Sequence, residues 1–350
     1  MYLGWLLVVF CQCLIVFSKE NDTLVAVQML YRHGDRTPMA VYPNDPNKKL
    51  VYRETSSAQL TNKGKERQYK LGQWLRKRYN GFLPSKYSNS DIKILTDDED
   101  RCFMSAMSNL AGLYPPKGQQ IWNKDIKWQP IPVRFNLSLQ TPENCPVYED
   151  LSNKAELELF EDICSQHGDI LEYLAEKTGA EINDMATLVY TIIDPLKCEE
   201  AQGLKLPKWT DTVYPKPLVD WVSLYYSLGT SSSKLAQFRI GPVFQSILDH
   251  FENVNEKVIM YSSHDSSLVD IVYTLQPNHP KFWPEFASVV ILELWQNKDE
   301  EYVKLTLKRD NTIEEINIDQ CGVKCNLEKF KKLVEPVALT LEKRQQLCKN

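Results

Sequence analysis

Five consecutive residues, Arg32-His33-Gly34-Asp35-Arg36, join two arginines to one of only five histidines in a chain of 350 residues. Asp97 and Arg101 form a second group, and His264-Asp265 a third. Three guanidinium groups, two imidazoles and a carboxyl suit phosphoryl transfer. A phosphoryl group in flight spreads charge over three equatorial oxygens, so its catalysis is mostly positioning plus positive charge. Guanidinium groups meet those oxygens with paired donors and stay charged at any physiological pH. A histidine nitrogen among them is a competent nucleophile, and His33 would carry a phosphohistidine intermediate. The leaving alkoxide then needs a proton, which the carboxylic acid of Asp265 can supply. No metal-ligand cluster is legible, and the fixed cations remove the need for one or for any other cofactor.

Each group alone has a plainer reading. RHGDR can be a surface turn in which Asp35 pairs with an arginine, and Arg101 a solvated ion pair in its acidic run. His264-Asp265 can be a hydrogen-bonded turn. Position relative to the predicted elements separates the two readings. The run LVAVQMLY at 24–31 reads as a buried strand and leads straight into Arg32. A second strand, IKILT at 92–96, precedes Asp97 and Arg101, and a third, KVIMYS at 257–262, precedes His264. In α/β folds ligands gather beyond the carboxyl ends of strands, so three separate strands would deliver these residues to one sheet edge. His167, His250 and His279 stand in polar helical or proline-flanked contexts and read as structural or surface residues.

Other elements frame these strands. Thr61 can cap a helix with Leu71, Trp74, Leu75 and Tyr79 on one face, followed by Gly81. The helix RCFMSAMSNLAGLY stops at Pro115-Pro116. Between 136 and 235 the pattern is helical, near 149–164, 169–177, 182–193 and 217–226, with no convincing strand. Residues 288–295 and 302–309 read as a hairpin. The expected organisation is an α/β core domain of 19–135 and 236–350, flanked by helices, with a smaller helical cap domain at 136–235 inserted between its halves.

Composition narrows the class. Apolar content of 43% and charged content of 25% are those of an ordinary globular protein. A net charge of −5 excludes the basic excess expected of a nucleic-acid binder. Residues 1–18, MYLGWLLVVFCQCLIVFS, are uncharged, too short to span a membrane comfortably, and followed by polar residues; they read as a secretory signal peptide rather than a stable anchor. The expected location is therefore secreted, outside the cytosol. Asn21 and Asn136 head candidate glycosylation sequons. Of nine cysteines, Cys11 and Cys13 leave with the signal, and an odd seven remain, so at least one stays free. Cys321 and Cys325 lack metal-ligand partners nearby and read as a short-loop disulfide.

At this point the segments Arg32-His33-Gly34-Asp35-Arg36-Thr37-Pro38 and His264-Asp265 together resemble the RHGxRxP and HD motifs of the histidine acid phosphatases. TDDEDRCFMSAMSNLAGLYPPKG, IWNKDIKWQPIPV and KVIMYSSHD resemble the lysosomal and prostatic type within that family. The resemblance runs from about residue 24 to Cys348. It implies a phosphoglycerate-mutase-like core sheet, with His33 as the phosphate acceptor. Arg32, Arg36, Arg101 and His264 would be the phosphate ligands. Asp265 would act as proton donor and later activate water, and Asp35 occupies a variable, structural position. It further implies Cys145–Cys348 and Cys321–Cys325 disulfides, a buried free Cys102, and a homodimer through the 122–128 stretch. Cys198 matches a disulfide position whose usual partner, near Ser288, is not cysteine here, which leaves Cys164 as a replacement. The sequence YRETSSAQLT also departs from the Trp-Pro-Gly-rich loop that relatives carry before Gln59.

The resulting expectation is a secreted acid phosphatase acting on small phosphomonoesters. The competing expectation is a secreted binding protein on the same scaffold, holding a biogenic amine or a lipid acid. A phytate-specific enzyme would want a broad basic entrance, which the charge balance does not suggest.

Overall fold

The structure is a computed structural model that describes residues 22–349. The predicted signal segment, Cys11, Cys13 and Asn21 lie outside the described residues.

Eight strands form one mixed sheet in the order β3-β2-β4-β1-β5-β6-β7, with β8 paired to β6. They are β1 (Thr23–Arg32), β2 (Ile92–Thr96), β3 (Arg134–Phe135), β4 (Val258–Ser263), β5 (Val289–Gln296), β6 (Glu301–Arg309), β7 (Thr312–Ile316) and β8 (Cys325–Asn326). β1 and β4 are buried on both faces, which is why they read as continuous apolar runs rather than alternating ones. The side chains still alternate between two cores. Val27, Met29 and Tyr31 pack with Leu71, Leu75 and Leu110 of helices Asn62–Arg78 and Asp100–Leu113. Ala26 and Leu30 face the other core, which holds Val243, Phe244 and Leu268 together with Leu188, Ile192 and Trp221 from the central helical stretch.

The helical elements differ from their expected bounds in two places. The patterns at 149–164 and 169–177 fuse into one helix, Pro146–Thr178, broken in dihedral only at His167. The pattern expected to end at 193 continues instead through a π-helical turn, Thr187–Ile193, into helix Asp194–Ala201. Pro195 looks like a helix stop in sequence, but it occupies the first turn of that segment, where its missing N–H costs little. Strands β3, β7 and β8 were not expected. β7 (TIEEI) is short and has a single buried residue, Ile316, so it carries only a weak apolar signal.

Sheet register fixes the site. β2, β4 and β1 are adjacent and parallel, with Thr96 opposite Ser262 and Arg32 opposite Ser263. The residues after them, His33, Asp97 and His264, therefore leave the sheet at one edge. β5 runs antiparallel to β1, so the segment preceding it reaches the same edge.

Candidate active site

The 32–38 segment is pinned from both sides. The His33 amide donates to the Ser263 carbonyl at 2.9 Å, and the His33 carbonyl accepts from the Ala287 amide at 3.1 Å. Gly34 packs directly on Gly64: a Cβ on residue 34 would lie 2.4 Å from the Gly64 carbonyl oxygen, so no larger residue fits. The Gly34 amide donates to Ser105 Oγ at 3.0 Å, and both the amide and the hydroxyl of Thr61 donate to the Asp35 carbonyl. Thr61 also accepts from the Gly64 amide, capping its helix as its sequence position predicts.

His33 is 2% exposed, and its Nδ1 lies 2.9 Å from the Gly34 carbonyl oxygen. A carbonyl only accepts, so Nδ1 carries the hydrogen and Nε2 keeps its lone pair. Burial holds the ring well below the usual histidine pKa, and Arg32, Arg101, Arg36 and His264 push it further the same way. His33 is thus a neutral imidazole among cations, with an unprotonated Nε2.

The three arginines are held by different elements. Arg32, fully buried, donates to the Pro284 carbonyl, pairs with Asp265 Oδ2 at 2.8 Å, and lies 4.1 Å above the Phe286 ring. Arg36 makes a fork with Asp194, at 2.8 and 2.9 Å. Arg101 pairs with Glu99 at 3.1 Å from the first turn of its helix. In each the Nε is buried without a protein hydrogen-bond partner among the described residues. Unpaired buried donors are costly, so three of them around one histidine fit an anion with several acceptor oxygens.

His264 Nε2 lies 2.8 Å from Asp97 Oδ2, and Cys102 Sγ is 3.8 Å from the same nitrogen. Burial disfavours the charged ring, but Cys102 and Asp97 outweigh it and lift the pKa to about 10. His264 is therefore a cation 5.5 Å from His33, centroid to centroid. Asp265 opens helix Asp265–Leu275 and accepts from Trp283 Nε1 at 3.0 Å. Burial raises its pKa, yet Arg32, Trp283, His264 and Arg36 prevail and hold it below the usual value. The helices starting at Asp100 and Asp265 both aim their amino ends at the cavity, which favours anions there.

The cavity, about 510 Å³, is lined by His33, Arg36, Arg101, His264 and Asp265 at its inner end. Asp35 lies apart from them, fully buried and paired with Arg67 at 3.0 Å. His250 bonds Gln28 and the Glu256 carbonyl, His279 faces Glu314, and His167 packs on Trp221. The unusual 52–58 loop does not line the cavity. It buttresses the signature, with Ser57 Oγ donating to the Met39 carbonyl at 2.7 Å and Thr37 Oγ1 to the Ser56 carbonyl. Asn136 is half-buried, and its side chain caps the turn Leu137–Leu139.

The disulfides Cys145–Cys348 and Cys321–Cys325 form as expected, and Cys102 is buried and free. The expected Cys164–Cys198 bridge does not form. Cys164 is solvent-facing on the long helix, whereas Cys198 is buried with Sγ 3.5 Å from Arg36. A bridge needs two opposed Cβ vectors at close range, which an outward thiol and an interior one do not provide.

Four residues that shape the site went unassigned in sequence: Asp97, Asp194, Trp283 and Phe286. Asp97 carried a signal, its place directly after a strand. Asp194 carried none, since its partner Arg36 lies 158 residues away.

A buried neutral histidine ringed by arginines at the edge of a mixed α/β sheet defines a phosphoryl-transfer protein of the histidine type. The sequence model of the histidine phosphatase superfamily (branch 2) matches residues 23–308, and the chain belongs to that family. It is a phosphatase. It is 33% identical over 328 residues to prostatic acid phosphatase of Bos taurus, covering 89% of this chain and 84% of the relative. Venom acid phosphatase Acph-1 of Apis mellifera is 32% identical, covering 90% and 85%, and lysosomal acid phosphatase of Rattus norvegicus is 32% identical, covering 93% and 81%. Among solved structures, the phytase of Citrobacter braakii superposes with a TM-score of 0.66 at 18% identity, covering 90% of this chain and 98% of the phytase. The fold is thus that of the histidine phosphatases.

Proposed function

We propose that the protein is a secreted acid phosphatase that hydrolyses small phosphate monoesters through a phosphohistidine on His33. The carrying observation is the free Nε2 of a neutral, buried His33 beside three arginines with unpaired Nε donors. Arg32, Arg36, Arg101 and His264 hold the phosphate oxygens while Nε2 attacks phosphorus and the ester P–O bond breaks. Asp265 passes a proton to the departing alkoxide, then takes one from the water that cleaves the P–N bond, releasing phosphate and restoring His33.

Asp265 is held as a carboxylate by Arg32, so its proton has to arrive with the ester. A monoester loses its second proton near pH 6, roughly, and below that it binds as a monoanion that can share this proton. An acid optimum follows. The paired cysteines, the relatives from venom and prostate, and the apolar leader support secretion; among the described residues no helix is long and apolar enough to cross a membrane. Trp122, Trp128, Ile121 and Phe135 are exposed beside the sheet edge and support a homodimer through that face. The 136–235 stretch acts as the cap domain, and Asp194 and Tyr190 from it reach the site.

The test is hydrolysis of an aryl phosphate at about pH 5 with His33→Ala and Asp265→Asn controls, plus trapping of labelled protein after rapid denaturation in base. His33→Ala is expected to lose activity at least about a thousandfold and all trapped label. Wild-type turnover no higher than that of His33→Ala would sink the reading.

A further inference from the structure

Any ester presented to His33 must lay its alcohol part along the rest of the cavity wall, and that wall has its own chemistry. Its wall includes the side chains of Tyr148, Tyr190, Tyr225 and Tyr226 with the carboxyls of Glu143 and Glu156. Tyr190 and Tyr225 meet edge to face at 6.0 Å. Glu156 accepts from Ser152 Oγ at 3.1 Å. Asp98 also lines the cavity.

Positive charge is scarce there. Among the described residues no lysine lines the cavity, and the lining arginine outside the 32–36 and Arg101 cluster, Arg239, is committed to Asp270 at 2.9 Å and lies 3.4 Å from the Tyr148 hydroxyl. Asp98, Glu143 and Glu156 have no lysine or arginine at ion-pair distance among the described residues. A second phosphate or a carboxylate on the alcohol would meet these three groups with no free cation to offset them. An ammonium group would meet tyrosine faces and carboxylates, the surroundings that favour cations.

We infer that the enzyme prefers single-phosphate esters of cationic alcohols and disfavours esters that carry a second anionic group. This rests on the phosphatase reading of the inner site, because it concerns which ester that site receives. The phytase-like fold does not oppose it, since a shared fold leaves the substrate wall free to vary.

One further feature sharpens the test. Burial raises the Glu156 carboxyl, Asp184 adds to this, and Ser152, Arg239 and Tyr225 oppose it, with Tyr148 and Tyr190 completing its surroundings. The preference for a cation should therefore weaken as pH falls, because a raised Glu156 takes up its proton sooner than an ordinary glutamate does.

The experiment compares kcat/KM for aminoethyl, propyl and carboxyethyl phosphate, three esters of similar size that differ in charge. The expected order is cation, neutral, anion, with about fivefold between neighbours at about pH 7 and less at about pH 5. The double variant Glu143→Gln with Glu156→Gln should shrink the cation-to-neutral ratio to about twofold or less. The same order is read by competition binding to His33→Ala, so an inactive wild type defeats the phosphatase reading while the charge preference is still measured. Equal values for the three esters, or a lead for the anion, would overturn the inference.

Discussion

His264 gives its Nε2 to Asp97 at 2.8 Å, so only Nδ1 is left for a further partner. Both nitrogens can donate at once only in the imidazolium, a form that Cys102 and the hydrogen-bonded Asp97 carboxylate together favour. Asp97 is itself fixed: its amide donates to the Ser262 carbonyl at 3.2 Å and its Oδ1 accepts from the Asp98 amide at 2.7 Å. Asp97 is thereby placed to act on His264, and in the proposed reaction it would act on phosphate only through that ring.

The sign of the pH effect follows. With its pKa raised to about 10, His264 stays charged through the neutral range and loses its proton only as pH climbs through that value. Asp97→Asn removes the carboxylate and lets the ring fall toward or below the usual histidine value of about 6.5. At about pH 5 the variant should therefore keep most phosphate affinity, while at about pH 7 its KM should rise roughly tenfold with a smaller change in kcat. The check is the pH profile of inhibition by inorganic phosphate. A uniform loss at every pH would mean that Asp97 serves the fold rather than the charge of His264.

That His33, Arg101, His264 and Asp265 come together was legible because each group follows a strand whose apolar run announces it, and parallel register carries all three strand ends to one edge. What holds those residues was not legible. Asp194 reaches Arg36 from a π-turn and a proline-led helix, features that apolar periodicity does not encode. Trp283 and Phe286 precede β5, whose antiparallel direction is what brings them beneath Arg32. The Cys164–Cys198 pairing failed because it rested on a resemblance and a leftover thiol, with no information on which way either side chain faces: Cys164 faces solvent and Cys198 the interior.

Arg36 and Asp194 form a buried fork, and Asp194 comes from the inserted stretch. Removing one member of such a pair leaves an uncompensated interior charge. Asp194→Ala is expected to lower stability by about 3 kcal/mol in denaturant unfolding. It should also cut kcat/KM at least about tenfold, because Arg36 is then free to leave the pose in which it lines the cavity. Asp194→Asn should keep more of both. Unchanged kcat/KM in Asp194→Ala would show that the fork does not position Arg36.

The free thiols differ in access. Cys164 is exposed, whereas Cys102 and Cys198 are buried, and burial together with Asp194 pushes the Cys198 thiol well up, away from the reactive thiolate. Alkylation of native protein followed by peptide mapping should label Cys164 alone among these three. The other two should react at least about a hundredfold more slowly until denaturant is added. Protection of Cys164 together with Cys198 in the native protein would restore the bridge that the structure lacks.

Asp45 and Glu199 are buried together. Asn47 donates its amide to Asp45 Oδ1 at 2.7 Å and its Nδ2 to Glu199 Oε2 at 2.6 Å. The remaining oxygens, Asp45 Oδ2 and Glu199 Oε1, are buried without a partner, and two carboxylates cannot satisfy each other without a proton between them. Burial raises both groups, the Asn47 bonds oppose this, and the Asp45 charge raises Glu199 further; Tyr42 and Lys48 are the other titratable neighbours. The folded pair therefore keeps a proton that the unfolded chain has lost above the ordinary glutamate value of 4.5. Its contribution to stability is complete below that value and declines as pH rises through the raised one. Thermal unfolding should show Tm a few degrees, roughly, higher under mildly acidic than under mildly alkaline conditions. Glu199→Gln, which keeps the shape and needs no shared proton, should flatten that slope. A slope unchanged by Glu199→Gln would assign the effect to other groups.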